Sequence, residues 1–388
     1  MLGFRLAGHR LSHRVAPGRL LEAAAACGLV GATPLTAPTS LWARVADLGT
    51  DAVERAVAER TLVETWSLRG TLHVFPATDL AVFTRSLLPA DEEALRYAVR
   101  GAVPLLDGMG LTAGALSELA AAATAEALDH RMILGKPALD SAVASAMRAS
   151  LPPRLGEAWD APSPFAAGQT AGEALASFAF RLLGLRAAIC LAGRERGRPV
   201  FARVEDCLPR TPMQETAAAG AALVRRYLRC YGPSTPEHFG QWAGTHPRHA
   251  AALWRACAAE LVPVDAGGQP RWVHRADLEA LRAAPRPAGL RLLPPLDPWV
   301  QTRDRELLAP PTQHHRVWRA AGWPGTVVHR GRIVALWRAR SRGSLLRFDV
   351  DPLAPLGARA RALLEREAQA LALFRGHPGG AELAVVSA

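Results

Sequence analysis

A chain of 388 residues with 49% hydrophobic and 21% charged residues has the apolar content for one sizeable core or two to three smaller ones, which excludes a disordered or fibrous protein. Lys and Arg exceed Asp and Glu by 46 to 35, a formal net charge of +11. Such an excess points to a polyanionic partner, nucleic acid ahead of a membrane surface, although a coding bias towards Arg and Ala would produce part of it.

The first elements are helical, since "PGRLLEAAAACGL" and "TSLWARVADLGTDAVERAVAERTLVE" repeat apolar residues at helical spacing. The period then changes to two β-type runs, "TLVETWSLRGTLHVF", with Arg69 and Gly70 between them. Helices followed by a hairpin is the order of a winged helix, and the order returns twice. "LTAGALSELAAAATAEAL" and "GKPALDSAVASAMRASL" lead into the hairpin "RAAICLAGRERGRPVFARV"; "TAAAGAALVRRYLRCYGPSTPEHFGQWAG" leads into "AELVPVDAGGQPRWVHRADL". From about residue 288 the texture becomes β-rich, with the basic turn "HRGR" between "TVV" and "IVALW", and it closes on the helix "LGARARALLEREAQALALF". The expected fold class is mainly α with β-hairpins (α+β): three tandem winged helices over residues 1–85, 86–210 and 211–287, then a C-terminal β-rich segment over 288–388.

Basic side chains at hairpin tips suit phosphate contact, which gives affinity and register without sequence specificity. Candidates of this kind are Arg69, Arg194, Arg196, Arg198, His329, Arg330 and Arg332, with Arg44 and Arg303 on flanking segments. His9, Arg10, His13 and Arg14 are spaced to line one helical face towards DNA. Two histidines at i and i+4 also suit a metal, but no third ligand is nearby in sequence and no HExxH pattern occurs, so no metal is expected. Cys27, Cys190, Cys207, Cys230 and Cys257 lack CxxC spacing, which indicates neither a zinc site nor a disulfide framework and fits a reducing cytoplasm. There is no P-loop, no GxGxxG after a strand and no Ser-His-Asp order. No apolar stretch of about 18 residues occurs, and the opening "MLGFRLAGHRLSHR" is too basic for a signal core, so a soluble, non-exported chain without a membrane partner is expected.

The segments "GLVGATPLTAPTSLWAR", "LVETWSLRGTLHVFPATDL", "YLRCYGPSTPEHFGQWAG", "LLPPLDPWVQTRDRELL" and "GTVVHRGRIVALWRARSRGSLLRFDVDPLAPL" occur in this order from residue 28 to residue 356. In these, and over about residues 18 to 376, the chain resembles the winged-helix DNA glycosylases of the AlkZ and YcaQ type, and the resemblance implies tandem winged helices around a concave DNA-binding channel. The resemblance implies a monomeric, nucleoid-associated enzyme without a cofactor that cleaves the N-glycosidic bond of N7-alkylated purines, bulky antibiotic adducts and interstrand crosslinks included, in double-stranded DNA. Self-resistance to a genotoxic natural product is one role the resemblance implies.

In the family, the Gly-Leu before the "LWAR" helix is followed by Gln, any residue, and Gln or Asp, whose side chains hold the attacking water; here those positions are Val30 and Ala32. Neither side chain makes a hydrogen bond. N7 alkylation puts a positive charge on the purine and makes it a good leaving group, so small residues at these positions fit an enzyme narrowed to one bulky adduct. Thr33 and Thr36 have hydroxyls to hold water, or to cap the following helix. Asp297 in "LDPW" is a carboxylate brought towards the same channel by the resemblance, or a turn former. A catalytically silent winged-helix protein, for lesion sequestration or transcription regulation, is the alternative.

Overall fold

The computed structural model describes residues 1–208 and 215–385, so the expected boundary between residues 210 and 211 lies outside the described residues. The chain forms two compact units. One comprises Met1–Arg55, Arg225–Thr235 and Ala259–Ala388, and the other Ala56–Val224 and Pro236–Ala258.

The first unit opens with helix α1 (Leu2–Gly8), helix α2 (Leu20–Ala25), the short strand β1 (Leu29–Val30) and helix α3 (Thr36–Trp42). The apparently continuous helical run from Thr39 to Glu64 is broken, because α3 ends at Trp42 and Asp47 adopts a positive φ of 47° before the next helix, Ala52–Ala58. α1 likewise stops before the basic residues. Arg10 takes a left-handed φ of 57°, so His9, Arg10, His13 and Arg14 do not share a helical face, contrary to expectation.

The second unit holds strands β2 (Leu62–Trp66), β3 (Leu72–Pro76), β4 (Ile133–Leu134), β5 (Ile189–Glu195) and β6 (Arg198–Arg203), in the spatial order β3–β2–β5–β6–β4 with antiparallel neighbours. Its long helices begin where their caps dictate. Thr112 accepts from Ala115 N at 3.0 Å to start Ala113–Ala127, and Thr170 with Glu173 forms a capping box ahead of Ala171–Leu185. Their apolar faces bury Leu116, Leu175, Phe180 and Leu183 in one core, where Trp66 stacks on Phe180 and Phe201 at centroid distances of 5.3 and 5.7 Å.

All five residues of β2 are buried, which places a charged Glu64 inside. Arg194 donates to its two carboxylate oxygens at 2.7 and 3.0 Å. Burial outweighs the guanidinium and pushes the Glu64 carboxyl up to about 7, from an ordinary 4.5. A raised carboxyl pKa means that the folded state holds the proton more tightly, so this contribution to stability is full below about pH 4.5 and is lost as pH rises through about 7. Glu64→Gln is therefore expected to flatten the pH dependence of the denaturation midpoint between about pH 5 and about pH 8. Equilibrium unfolding of both proteins across that window is the check; an unchanged slope would place the titration elsewhere.

The remainder of the first unit contains the two-stranded pair β7 (Leu261–Asp265) and β8 (Pro270–His274), then β9 (Leu290–Leu293), β10 (Gly325–His329), β11 (Arg332–Arg342), β12 (Leu345–Pro352) and β13 (Gly380–Val385). The last five form a sheet in the order β13–β12–β11–β10–β9. All neighbours are antiparallel except β12 and β13, which are parallel and joined by the crossover helix Ala358–Phe374. Alternation sends Leu346, Phe348 and Val350 of β12 into a core with Trp299, Trp337, Leu364 and Leu371. The β-rich texture and closing helix read from the sequence are this sheet. None of the described helices is long and apolar enough to cross a membrane.

Candidate active site

The segment from Gly28 to Thr36 runs from the end of α2 through β1 into α3. Its residues alternate in fate: Val30 is 2% exposed, while Ala32, Thr33, Pro34 and Leu35 are exposed and Thr36 is buried again. Gly28 has a φ of 68°, a left-handed turn that glycine takes without strain, and this swings the chain from α2 into β1. Thr33 Oγ1 and Thr36 Oγ1 are 2.8 Å apart and share one hydrogen bond. Neither caps α3, whose N-cap is Leu35 without a side-chain bond, so the capping role open to them in sequence is absent. The exposed Thr33 hydroxyl retains the capacity to bind a second partner.

Beneath this segment α3 is anchored by a buried ion pair. Arg44 and Asp297 are both fully buried; Nη1 and Nη2 of Arg44 donate to Oδ2 and Oδ1 of Asp297, each at 2.8 Å. Ser40 Oγ adds a bond to Oδ2 at 2.8 Å and the Trp299 N–H one to Oδ1 at 2.9 Å, so four donors occupy the carboxylate. Arg44 also donates to the His9 carbonyl at 2.9 Å and the Ser40 carbonyl at 2.8 Å. Burial opposes the Asp297 charge, but the Arg44 guanidinium and these hydrogen bonds hold its carboxyl below the usual range.

Two sequence expectations are corrected here. Arg44 is not a phosphate contact, because its guanidinium is enclosed and matched to Asp297. Asp297 is a positioning group for α3, and its occupied oxygens leave little capacity to hold water. Ser40, which completes this set, was missed because nothing in its local sequence marks it.

The other expected contacts divide by exposure. His9 is buried and does not reach a surface; Arg10 pairs with Glu22, and Arg14 forks onto Glu367 at 3.1 and 2.8 Å. His13 is exposed, while Arg303 and His329 are half-buried. Arg194 is the partner of Glu64 and not a free tip. Arg69 lies in a 3₁₀ turn, half-buried, donating to the Trp242 carbonyl, so it is no exposed wing tip either. Arg196 and Arg330 behave as expected of tips. In both hairpins a two-residue loop, Arg196-Gly197 and Arg330-Gly331, has positive φ at both positions (49° and 78°, 51° and 79°). That is the requirement of a type I′ turn, and it leaves Arg196, Arg198, Arg330 and Arg332 exposed.

The fold has solved counterparts: it superposes on the Streptomyces sahachiroi DNA glycosylase AlkZ with a TM-score of 0.76, over 99% of this chain and 98% of that one, at 23% identity. An interstrand DNA cross-link repair glycosylase of the same organism is 28% identical over 327 residues, 80% of this chain and 79% of the relative. The model of the AlkZ-like DNA glycosylase family matches residues 24–374, and the chain belongs to that family.

Proposed function

We propose that the protein is a monofunctional glycosylase that removes one bulky N7-alkylguanine adduct from duplex DNA, as repair or self-resistance to a genotoxic natural product. The observation that carries this reading is the geometry at the family's motif positions: the exposed Ala32 puts only a methyl group where the family has a water-holding side chain, and the neighbouring exposed Thr33 supplies a hydroxyl. In the reaction the C1′–N9 bond breaks with its electron pair leaving on the cationic purine, which becomes neutral. Water adds to C1′ and its proton passes to solvent. A general base is worth roughly 10²–10⁴-fold, and a departing cationic base makes its loss tolerable. The interstrand cross-link repair ascribed to the relative suits a site that must accept a large lesion.

The test is incubation with duplexes carrying assorted N7-guanine adducts, followed by mass analysis of released base. Release of a bulky adduct is expected. Tight lesion binding without release of any base would favour the silent binder, a reading that the missing amides at Val30 and Ala32 also support.

The duplex is held, on this reading, by basic hairpin tips lining a concave surface, the β10–β11 tip among them. Arg330→Ala with Arg332→Ala is then expected to weaken duplex binding and to lower the slope of log affinity against log salt by about one for each phosphate that is no longer neutralised. A salt titration of both proteins decides it; identical slopes would remove this hairpin from the interface.

A further inference from the structure

His9, Cys27 and Cys230 are buried, and one ligand atom from each lies within 4.8 Å of the others. Only the fold assembles them. His9 follows α1, Cys27 follows α2, and Cys230 sits in the last turn of the helix Thr216–Tyr231. Gly8 makes the approach possible, since a Cβ there would stand 2.1 Å from the Arg229 carbonyl oxygen. Cys27 Sγ is 3.5 Å from His9 Nδ1. Thiolate and imidazole bound tetrahedrally to one zinc ion, at about 2.3 and about 2.0 Å, stand about 3.5 Å apart, so this pair already has the spacing of co-ligands. The Cys230 thiol donates to the Ala26 carbonyl at 3.3 Å.

The surroundings suit a soft divalent cation. Tyr231 and Trp299 meet the imidazole edge-on at centroid distances of 4.8 and 5.2 Å and fix its ring. The nearby Arg44 charge is matched by Asp297. Two thiolates neutralise a divalent ion, and sulfur with imidazole favours zinc over magnesium or calcium.

We propose that His9, Cys27 and Cys230 form a structural zinc site that clamps α1, α2 and the helix Thr216–Tyr231 immediately before the Gly28–Thr36 segment. On binding, each thiol releases its proton to solvent and the two sulfurs bond to the ion, so uptake is weakened by acid. The site lies outside the reaction itself and adds to the family reading a means of holding the motif segment in place.

The experiment uses the full chain, stripped with a chelator and dialysed against zinc chloride, with metal measured by mass spectrometry, and a parallel cobalt(II) titration read at the thiolate-to-cobalt charge-transfer band. Expected are one zinc per chain, a charge-transfer band, a higher melting temperature with zinc, and loss of the metal in Cys27→Ser and in Cys230→Ala. A wild-type protein that takes up no stoichiometric zinc and shows no such band overturns the proposal, as does full zinc retention by both variants. The wild-type measurement stands even if a variant fails to fold. Base release has no part in this readout, so the result is separate from that of the glycosylase assay.

Discussion

Arg44→Ala is expected to destabilise the first unit by about 3–5 kcal/mol, the usual consequence of removing one partner of a buried ion pair. The loss exceeds that of a surface pair because the substitution leaves the buried Asp297 carboxylate without its counter-charge, with only Ser40 Oγ and the Trp299 N–H donating to it, and removes the donor to the carbonyls of His9 and Ser40. For a cooperative unit of this size the melting temperature falls by on the order of 10 °C. A pH signature distinguishes this cause from simple loss of packing. In the wild type the depressed Asp297 pKa contributes stability that is present above the unfolded carboxyl value, about 3.9, and is lost as pH falls through the lower folded value. In the variant the orphaned, buried carboxyl has its pKa raised, so mild acid partly restores stability by protonating it. Calorimetry of both proteins between about pH 4.5 and about pH 8 tests this. A shift below ~1 kcal/mol would show the pair to be dispensable for the fold.

Ala32→Gln is expected to raise release of N7-methylguanine by roughly tenfold over a wild type with little such activity, the worth of one restored hydrogen bond to the attacking water. The two motif positions are not equivalent in the structure. Ala32 is exposed, so a glutamine there meets solvent without disturbing the core. Val30 is 2% exposed, and an amide forced into its place without partners destabilises by about 1–3 kcal/mol. Val30→Gln alone is thus expected to lower stability and bring little activity. Single-turnover assays on a methylated duplex, with melting curves for each variant, separate the two effects. Efficient excision by the wild type would remove the basis for a specialised pocket, and no gain in Ala32→Gln would show that position 32 does not face the water.

Local chemistry was legible from the sequence. The Arg-Gly pairs at residues 196–197 and 330–331 lie between β-type runs, and a two-residue hairpin needs positive φ at both turn positions, so the turns and the exposure of their arginines follow from neighbours alone. The helix starts at Thr112 and Thr170 are equally local, set by a hydroxyl and the N–H groups three residues on. The five ordered segments carried the family. What only the tertiary structure decided was the fate of each charge and thiol. Arg44 and Arg69 look alike in the sequence as basic residues suited to DNA, as does Arg194. One is matched to Asp297 across 253 residues, one donates to the Trp242 carbonyl, and one is held by Glu64 across a strand pair. His9, Cys27 and Cys230 have no spacing in the chain that announces a site, yet the close approach at Gly8 brings them within ligand distance. A turn or a cap is settled by residues a few positions apart, whereas burial, desolvation and the choice of ionic partner depend on which distant segments pack together.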